Sequence, residues 1–353
     1  MEMESFTTVL KRDSCSNGNG YDGHMGLRIS SIFVIMIGST FGALFPVVAK
    51  RFSKGNSGAP KWAFFIAKYF GSGVIIATAF IHLLAPAEEA LTDDCLTGVI
   101  TEYSWVEAIV LMTIVVLFFV ELMVMRFSQF GAGHVHDEEG HSHTQLEAAL
   151  PITEEVTQSK HYLPGEDHLS HTREHHDADD SEKERAAIED YAAQLTSIFI
   201  LEFGIIFHSA FIGLTLAVTG SGFITLYVVL IFHQTFEGLG LGSRLAQIPW
   251  PKAKRFTPYW LGLGFGLSTP IAIAVGLGVR EVYPPDSAKT LIVTGVFDSI
   301  SAGILIYTAL VELMAHEFMF SASMRQAPIR DVLLAFLLLC MGAGLMALLG
   351  KWA

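Results

Sequence analysis

Charge is scarce in this sequence. Only 16% of its 353 residues are Asp, Glu, Lys or Arg, against about 25% in an ordinary soluble domain. With 51% hydrophobic residues and a mean hydropathy of +0.46, that deficit argues against a soluble chain. Cysteine is scarce as well: Cys15, Cys95 and Cys340 are too few for a disulfide framework, although one bridge between Cys15 and Cys95 stays open. No basic domain or aromatic–basic patch is present, so nucleic-acid binding has no support. A P-loop is missing, which argues against direct coupling to ATP. The His316-Glu317 step is not a zinc-protease motif, because Phe320 stands where H-E-x-x-H needs its second histidine. The N-terminal stretch through His24 has no apolar signal-peptide core, so the first span is expected to remain in the mature protein.

What is abundant is apolar sequence in long blocks. A membrane helix needs about 20 apolar residues to cross roughly 30 Å of hydrocarbon. Runs of this kind lie at 27–49, 63–87, 104–126, 194–219, 222–243, 257–279, 289–318 and 330–349, which predicts an all-α, polytopic bundle of eight transmembrane helices. Small residues at helix-packing spacing, such as Gly38 and Gly42, suit close helix contacts in lipid. Pro270 is expected to kink the sixth span.

The short loops assign sides. Lys50, Arg51, Lys54 and Lys61 follow the first span, Arg244, Lys252, Lys254 and Arg255 the fifth, and Arg325 and Arg330 separate the last two. The loop after the second span carries Glu88, Glu89, Asp93, Asp94 and Glu102 without a base. Lys and Arg mark the cytoplasmic side, so both termini are expected outside. The chain divides accordingly into an extracellular tail at 1–26, three helices over 27–126, a cytoplasmic loop at 127–193 and five helices over 194–353. The net charge of −13 reports mainly on that loop. It holds nine of the fourteen histidines, among them His134, His136, His141 and His143. With excess acid and no apolar period it reads as largely disordered, suited to weak metal binding or regulation, or serving as a plain solvated linker.

The fourth and fifth spans carry the chemistry. The Thr219-Gly220-Ser221-Gly222 turn joins them, predicting an antiparallel hairpin. His208 and His233 are equidistant from the turn, about 18 Å away at 1.5 Å per residue, near mid-bilayer. Glu237 follows His233 by four residues and shares its helix face. Ser209 and Gln234 sit beside the two histidines and can add oxygen ligands. An intramembrane carboxylate costs several kcal/mol, roughly 2.5–3.5 for Asp on insertion scales, unless it is paired, protonated or wet. No Lys or Arg lies at this depth in either span, and a divalent cation supplies the missing charge. Two imidazoles and a carboxylate form a set that zinc accepts. A proton relay would draw on the same residue types.

The segments His208-Ser-Ala-Phe-Ile-Gly213 and His233-Gln-Thr-Phe-Glu-Gly238 resemble the signature helices of the ZIP (Zrt/Irt-like) zinc and iron transporters, particularly fungal and plant members. The resemblance extends to the histidine-rich loop, to His82 and to Phe297-Asp298-Ser299-Ile300-Ser301-Ala302-Gly303. It implies an eight-helix carrier at the plasma membrane, bringing Zn2+ or Fe2+ toward the cytosol and holding it at His208, Ser209, His233, Gln234 and Glu237. It also implies an elevator-like displacement of the ligand-bearing helices. Glu88, Glu89 and Asp298 are expected on the entry path, and His82, Glu312, His316 and Glu317 on the exit path. Bacterial relatives hold two metals with further carboxylates. Ile212 and Thr269 stand at those positions here, so one central ion is expected. The partners on this reading are a divalent metal ion and the lipid bilayer, and a homodimer is compatible with it. A membrane metalloenzyme or a metal sensor would share the binding residues. The first would also need an activated-water site with a dedicated acid or base, and no motif supplies one.

Overall fold

The computed structural model describes residues 15, 18, 20–52, 61–131, 180–281 and 284–352. Among the described residues there is no strand, and eight helices are long and apolar enough to cross a membrane. Helix α1 is Met25–Phe52. Helix α2 runs over Lys61–Ala77, continues as a π-helical segment over Thr78–Leu84 and ends as Ala85–Leu91. Helices α3, α4, α5 and α6 are Trp105–Gly131, Asp180–Val218, Phe223–Gln247 and Thr257–Val279. Helix α7 covers Ala288–Thr308 and continues π-helically over Ala309–Phe320, and α8 is Ile329–Leu349.

Every predicted span forms a helix, with differences at the ends. Helix α4 starts at Asp180, well before the expected 194, because 180–193 is rich in Ala and Glu, which favour helix whether or not they enter lipid. Helix α3 runs on to Gly131. Both ends of the polar insertion are thus helical rather than irregular, while His134, His136, His141 and His143 lie outside the described residues.

The expected hairpin is only partly a packing unit. The turn after Val218 delivers the chain straight into α5, yet each helix takes its main neighbours elsewhere. Helix α4 packs on α6 and α7, and α5 packs on α1 and α2. Small residues make the α1–α5 contact. A Cβ on Gly238 would lie 2.8 Å from the Ser39 carbonyl oxygen and 3.0 Å from the Ala43 nitrogen, while Gly42 abuts the Thr235 carbonyl. Lipid offers no hydrophobic drive for helix pairing, so such backbone approach supplies the dispersion contacts that hold helices together. Pro270 lies inside a continuous α6. It has no N–H for the carbonyl four residues back, and that carbonyl, on Gly266, instead accepts a hydrogen bond from Ser39 Oγ at 3.1 Å.

At the end of the bundle that holds the α4–α5 turn, Cys15 and Cys95 form a disulfide with their Cα atoms 4.9 Å apart, closing the option left open by the sequence. Arg28 is fully buried there. It donates to the carbonyls of Leu216 and Ala217, both at 3.0 Å, and of Thr219 at 2.6 Å. These are the orphan acceptors that end a helix, where a cation is favoured. Its guanidinium also pairs with Asp22 at 2.8 Å and stacks on Phe223. A charge one residue inside the predicted first span is therefore a buried clamp between α1 and α4. Cys340 is a free cysteine exposed on α8.

Candidate metal centre

Helix α5 contributes the most to the centre. Clamped between α1 and α2, it buries a polar stripe in which His233, Gln234 and Glu237 are each 0% exposed. Helix α4 brings His208 and Ser209, also buried. The equal count from the turn is reproduced in space, since the His208 and His233 ring centroids lie 5.7 Å apart. His233 Nε2 is 3.8 Å from Glu237 Oε2, the one-turn neighbour predicted by spacing. One donor atom each from His208, His233 and Glu237 falls within 4.8 Å of the other two. Ligands around tetrahedral zinc, with bonds of about 2.0–2.2 Å, stand roughly 3.3–3.6 Å apart. Side-chain rotations of about an ångström therefore bring all three into bonding range.

Two further residues join this centre from other helices. Asp298 on α7 is buried with Oδ1 4.0 Å from His208 Nδ1. Phe297, next to it, stacks on Phe207 and Phe211 of α4 and fixes the register that brings Asp298 to the histidine. His82, on the π-helical part of α2, lies edge-on to His233 with centroids 4.6 Å apart. Its Nε2–H donates to the Met346 carbonyl at 2.9 Å. That contact fixes the tautomer and leaves Nδ1 as the ring's lone pair. The family resemblance groups His82 with the exit residues, whereas the fold stands it beside His233. The reason lies in α2 itself. Lys68, fourteen residues earlier and about 21 Å away along the helix, is the residue that meets Glu317.

The centre differs from the rest of the interior in its unsatisfied atoms. Among the described residues twelve buried side-chain polar atoms lack a hydrogen-bond partner, and eight of them belong to His208, His233, Gln234, Glu237 and Asp298. Buried polar groups are nearly always paired, so this concentration singles out a donor set that could take a partner from outside the protein. Gln234 Nε2 donates to Ser209 Oγ at 3.3 Å, which turns its Oε1, one of the eight, away from that contact. Thr269 is buried and Ile212 half-buried, so neither adds a carboxylate.

The other sequence candidates are spread along the bundle. Glu88 and Glu89 are exposed near the turn end. Glu312 and Glu317 lie on the π-helical part of α7, far from the turn, and each is ion-paired: Glu312 with Arg244 at 3.1 Å, Glu317 with Lys68. His316, between them, is half-buried. Glu121 of α3 accepts a hydrogen bond from Tyr307 of α7. Two features escaped the sequence reading. Lys68 was unremarked in the second span and Arg244 was counted as loop charge. The signal that could have found Arg244 is its heptad distance from Glu237, which puts both on one face of α5.

Eight apolar helices around a buried His/His/Glu set define an integral, multi-pass membrane protein with an intramembrane centre suited to a divalent metal. Comparison with known sequences agrees: the model of the family described as "ZIP Zinc transporter" matches residues 25–350, and the chain belongs to that family, one of transporters and not of enzymes. It is 43% identical to zinc-regulated transporter 2 of Saccharomyces cerevisiae, with 97% of each chain covered. It is 39% identical to zinc-regulated transporter 1 of Schizosaccharomyces pombe, over 99% of this chain and 90% of the relative. Against zinc transporter 3 of Arabidopsis thaliana the figures are 34%, 96% and 89%.

Proposed function

We propose that this protein takes up zinc into the cytosol across the plasma membrane, holding one ion at a time on His208, His233 and Glu237. The observation that carries the reading is the convergence of three buried donors, none with a hydrogen bond inside the protein, within 4.8 Å. Nitrogen and carboxylate donors suit zinc, and a dry site makes a cation the natural partner of Glu237. The 43% and 39% identical relatives are named as zinc-regulated transporters, which favours zinc over iron. All three donors come from one chain, so the site needs no second copy.

On the charge asymmetry of the loops, both termini face outward and the ion travels from the turn end of the bundle to the end of Arg244 and Glu317. Glu88 and Glu89 gather cations at the mouth. Asp298 hands the ion to His208, and Glu312, His316 and Glu317 receive it on the far side. The ligand-bearing helices α4 and α5 shift to expose the ion alternately to the two faces. The 134–180 stretch with its histidines handles metal on the cytosolic side and is dispensable for transport itself.

The test is radiolabelled zinc uptake by His208→Ala and His233→Ala at matched surface expression. Uptake is expected to fall to background in both, and normal uptake in both would overturn the site. Competition by iron, manganese and cadmium in reconstituted vesicles checks the ion. Zinc is expected to be the strongest competitor, and an equal effect of iron would broaden the substrate class.

A further inference from the structure

Four charged side chains at the end of the bundle away from the turn are arranged in two pairs, and both pairs engage carboxylates of the route described above. Arg244 Nη2 of α5 lies 3.1 Å from Glu312 Oε2 of α7, with each side chain 15% exposed. Lys68 Nζ of α2 holds Glu317 Oε1 of α7, with side chains 18% and 9% exposed. Tyr69 donates to the same Glu317 oxygen at 3.3 Å. The two carboxylates a leaving cation would use are thus already neutralised by cations of the protein.

The placement of Arg244 is specific. It lies seven residues after Glu237, two turns along α5, so both project from the same face about 10.5 Å apart. The stripe that ends the metal centre runs directly onto a guanidinium. Arginine cannot shed its proton in a protein, so this positive charge is permanent and is moderated only by what it pairs with. Stability does not explain such pairs. Partly buried ion pairs roughly break even against apolar replacements, because desolvation offsets attraction. A lysine and an arginine held on acids in a cation's path have a chemical use instead. An acid without a resident cation would bind a divalent ion and keep it, whereas conduction needs sites weak enough to leave.

We propose that Arg244 and Lys68 are resident counter-cations of the exit route. They occupy Glu312 and Glu317 until a divalent ion displaces them, and return to push it off. The exchange suits electrostatics. A divalent ion attracts a carboxylate twice as strongly as a guanidinium or ammonium at equal distance, so it can displace the resident charge on arrival. The displaced base then lies beside the ion as a like charge that favours its departure. Both acids sit on the π-helical part of α7, a geometry that recurs at functional sites. This role rests on the uptake reading above, and Arg244 and Lys68 act through the acids rather than by touching zinc.

The experiment uses the purified full-length protein in detergent with zinc chloride as probe. Arg244→Gln is expected to add a zinc site at Glu312 that binds roughly tenfold more tightly than any exit-side binding in the parent, and Arg244→Gln/Glu312→Gln to remove it again. In proteoliposomes the turnover of Arg244→Gln should fall about tenfold with KM changed less than about twofold, the signature of slowed release. Arg244→Lys should recover most of it. A second measurement needs no variant. Saturating zinc should raise acylation of Lys68 by a water-soluble amine reagent about threefold in the wild-type protein, since displacement frees the ammonium. Parental stoichiometry and turnover in Arg244→Gln, or Lys68 labelling indifferent to zinc, would overturn the proposal. Failure of the central site would look different: His233→Ala would keep its zinc binding while the Lys68 and Arg244 readouts remained separately measurable.

Discussion

Two acidic regions of this bundle solve the same electrostatic problem in opposite ways. At the centre, Glu237 and Asp298 lie among histidines, neither is ion-paired with a lysine or arginine among the described residues, and both oxygens of Glu237 and Oδ1 of Asp298 are left without hydrogen bonds. Toward the other end of the same helices, Glu312 and Glu317 carry a guanidinium and an ammonium. A carboxylate in a low-dielectric interior must find positive charge or give up its own. The centre leaves that place to a visitor, and the distal pairs fill it from within. On the uptake reading proposed above, selectivity and strong holding would belong to the first region, and release to the second.

The largest effect that would sharpen this contrast is expected at the centre. Glu237→Gln keeps the shape and removes the charge, and zinc uptake should fall more than about a hundredfold, because a metal ligand and the counter-charge vanish together. Glu312→Gln should cost only about tenfold in turnover, since a resident arginine already screens that acid. If the two losses, measured as initial rates at matched surface expression, are equal, the division fails. Asp298→Asn comes next. Its contact with His208 is at 4.0 Å and orients or feeds the ligand, so uptake at limiting zinc should drop about tenfold with less change at saturation.

Gly238→Leu should act differently, lowering the folded, surface-exposed population severalfold through overpacking, since Ser39 and Ala43 backbone atoms occupy that space. Cell-surface labelling distinguishes this from a transport defect. The smallest effect on uptake is expected from Cys15→Ser. It breaks a bridge spanning 80 residues and should lower thermal stability by about 2–4 kcal/mol while leaving initial zinc uptake within about twofold. A large uptake loss there would show that the turn end is as decisive as the centre.

Much of the centre was legible because it is local. The His208–His233 match needs only a turn position and a residue count, and Glu237 follows from a four-residue step on one helix. Eight spans could be read for a similar reason, since apolar length is a property of contiguous sequence. Asp298 and His82 were named but placed along a path, because their proximity to the histidines depends on how α7 and α2 dock, and pattern alone does not give interhelical register. The π-helical segments of α2 and α7 compound this. An i→i+5 turn rotates every later side chain away from its 3.6-residue position. Arg244 looks like loop charge in a hydropathy reading and Arg28 is an unremarked charge at the edge of the first span, and only the fold reveals that Arg28 caps α4 and Arg244 faces Glu312.

The glycine contact between α1 and α5 has a mechanical consequence. Where main chain rests on main chain across Gly42 and Gly238, no long side chain intervenes to bend or reseat, so the two helices have little freedom to slide past one another. Helix α1 in turn is tied to α6 through the Ser39–Gly266 bond and to the foot of α4 through Arg28. Under the displacement proposed above, a shift of His233 and Glu237 would therefore haul α1, α4 and α6 along as one cargo frame, and the yielding surface would be where that frame meets α2 and α7.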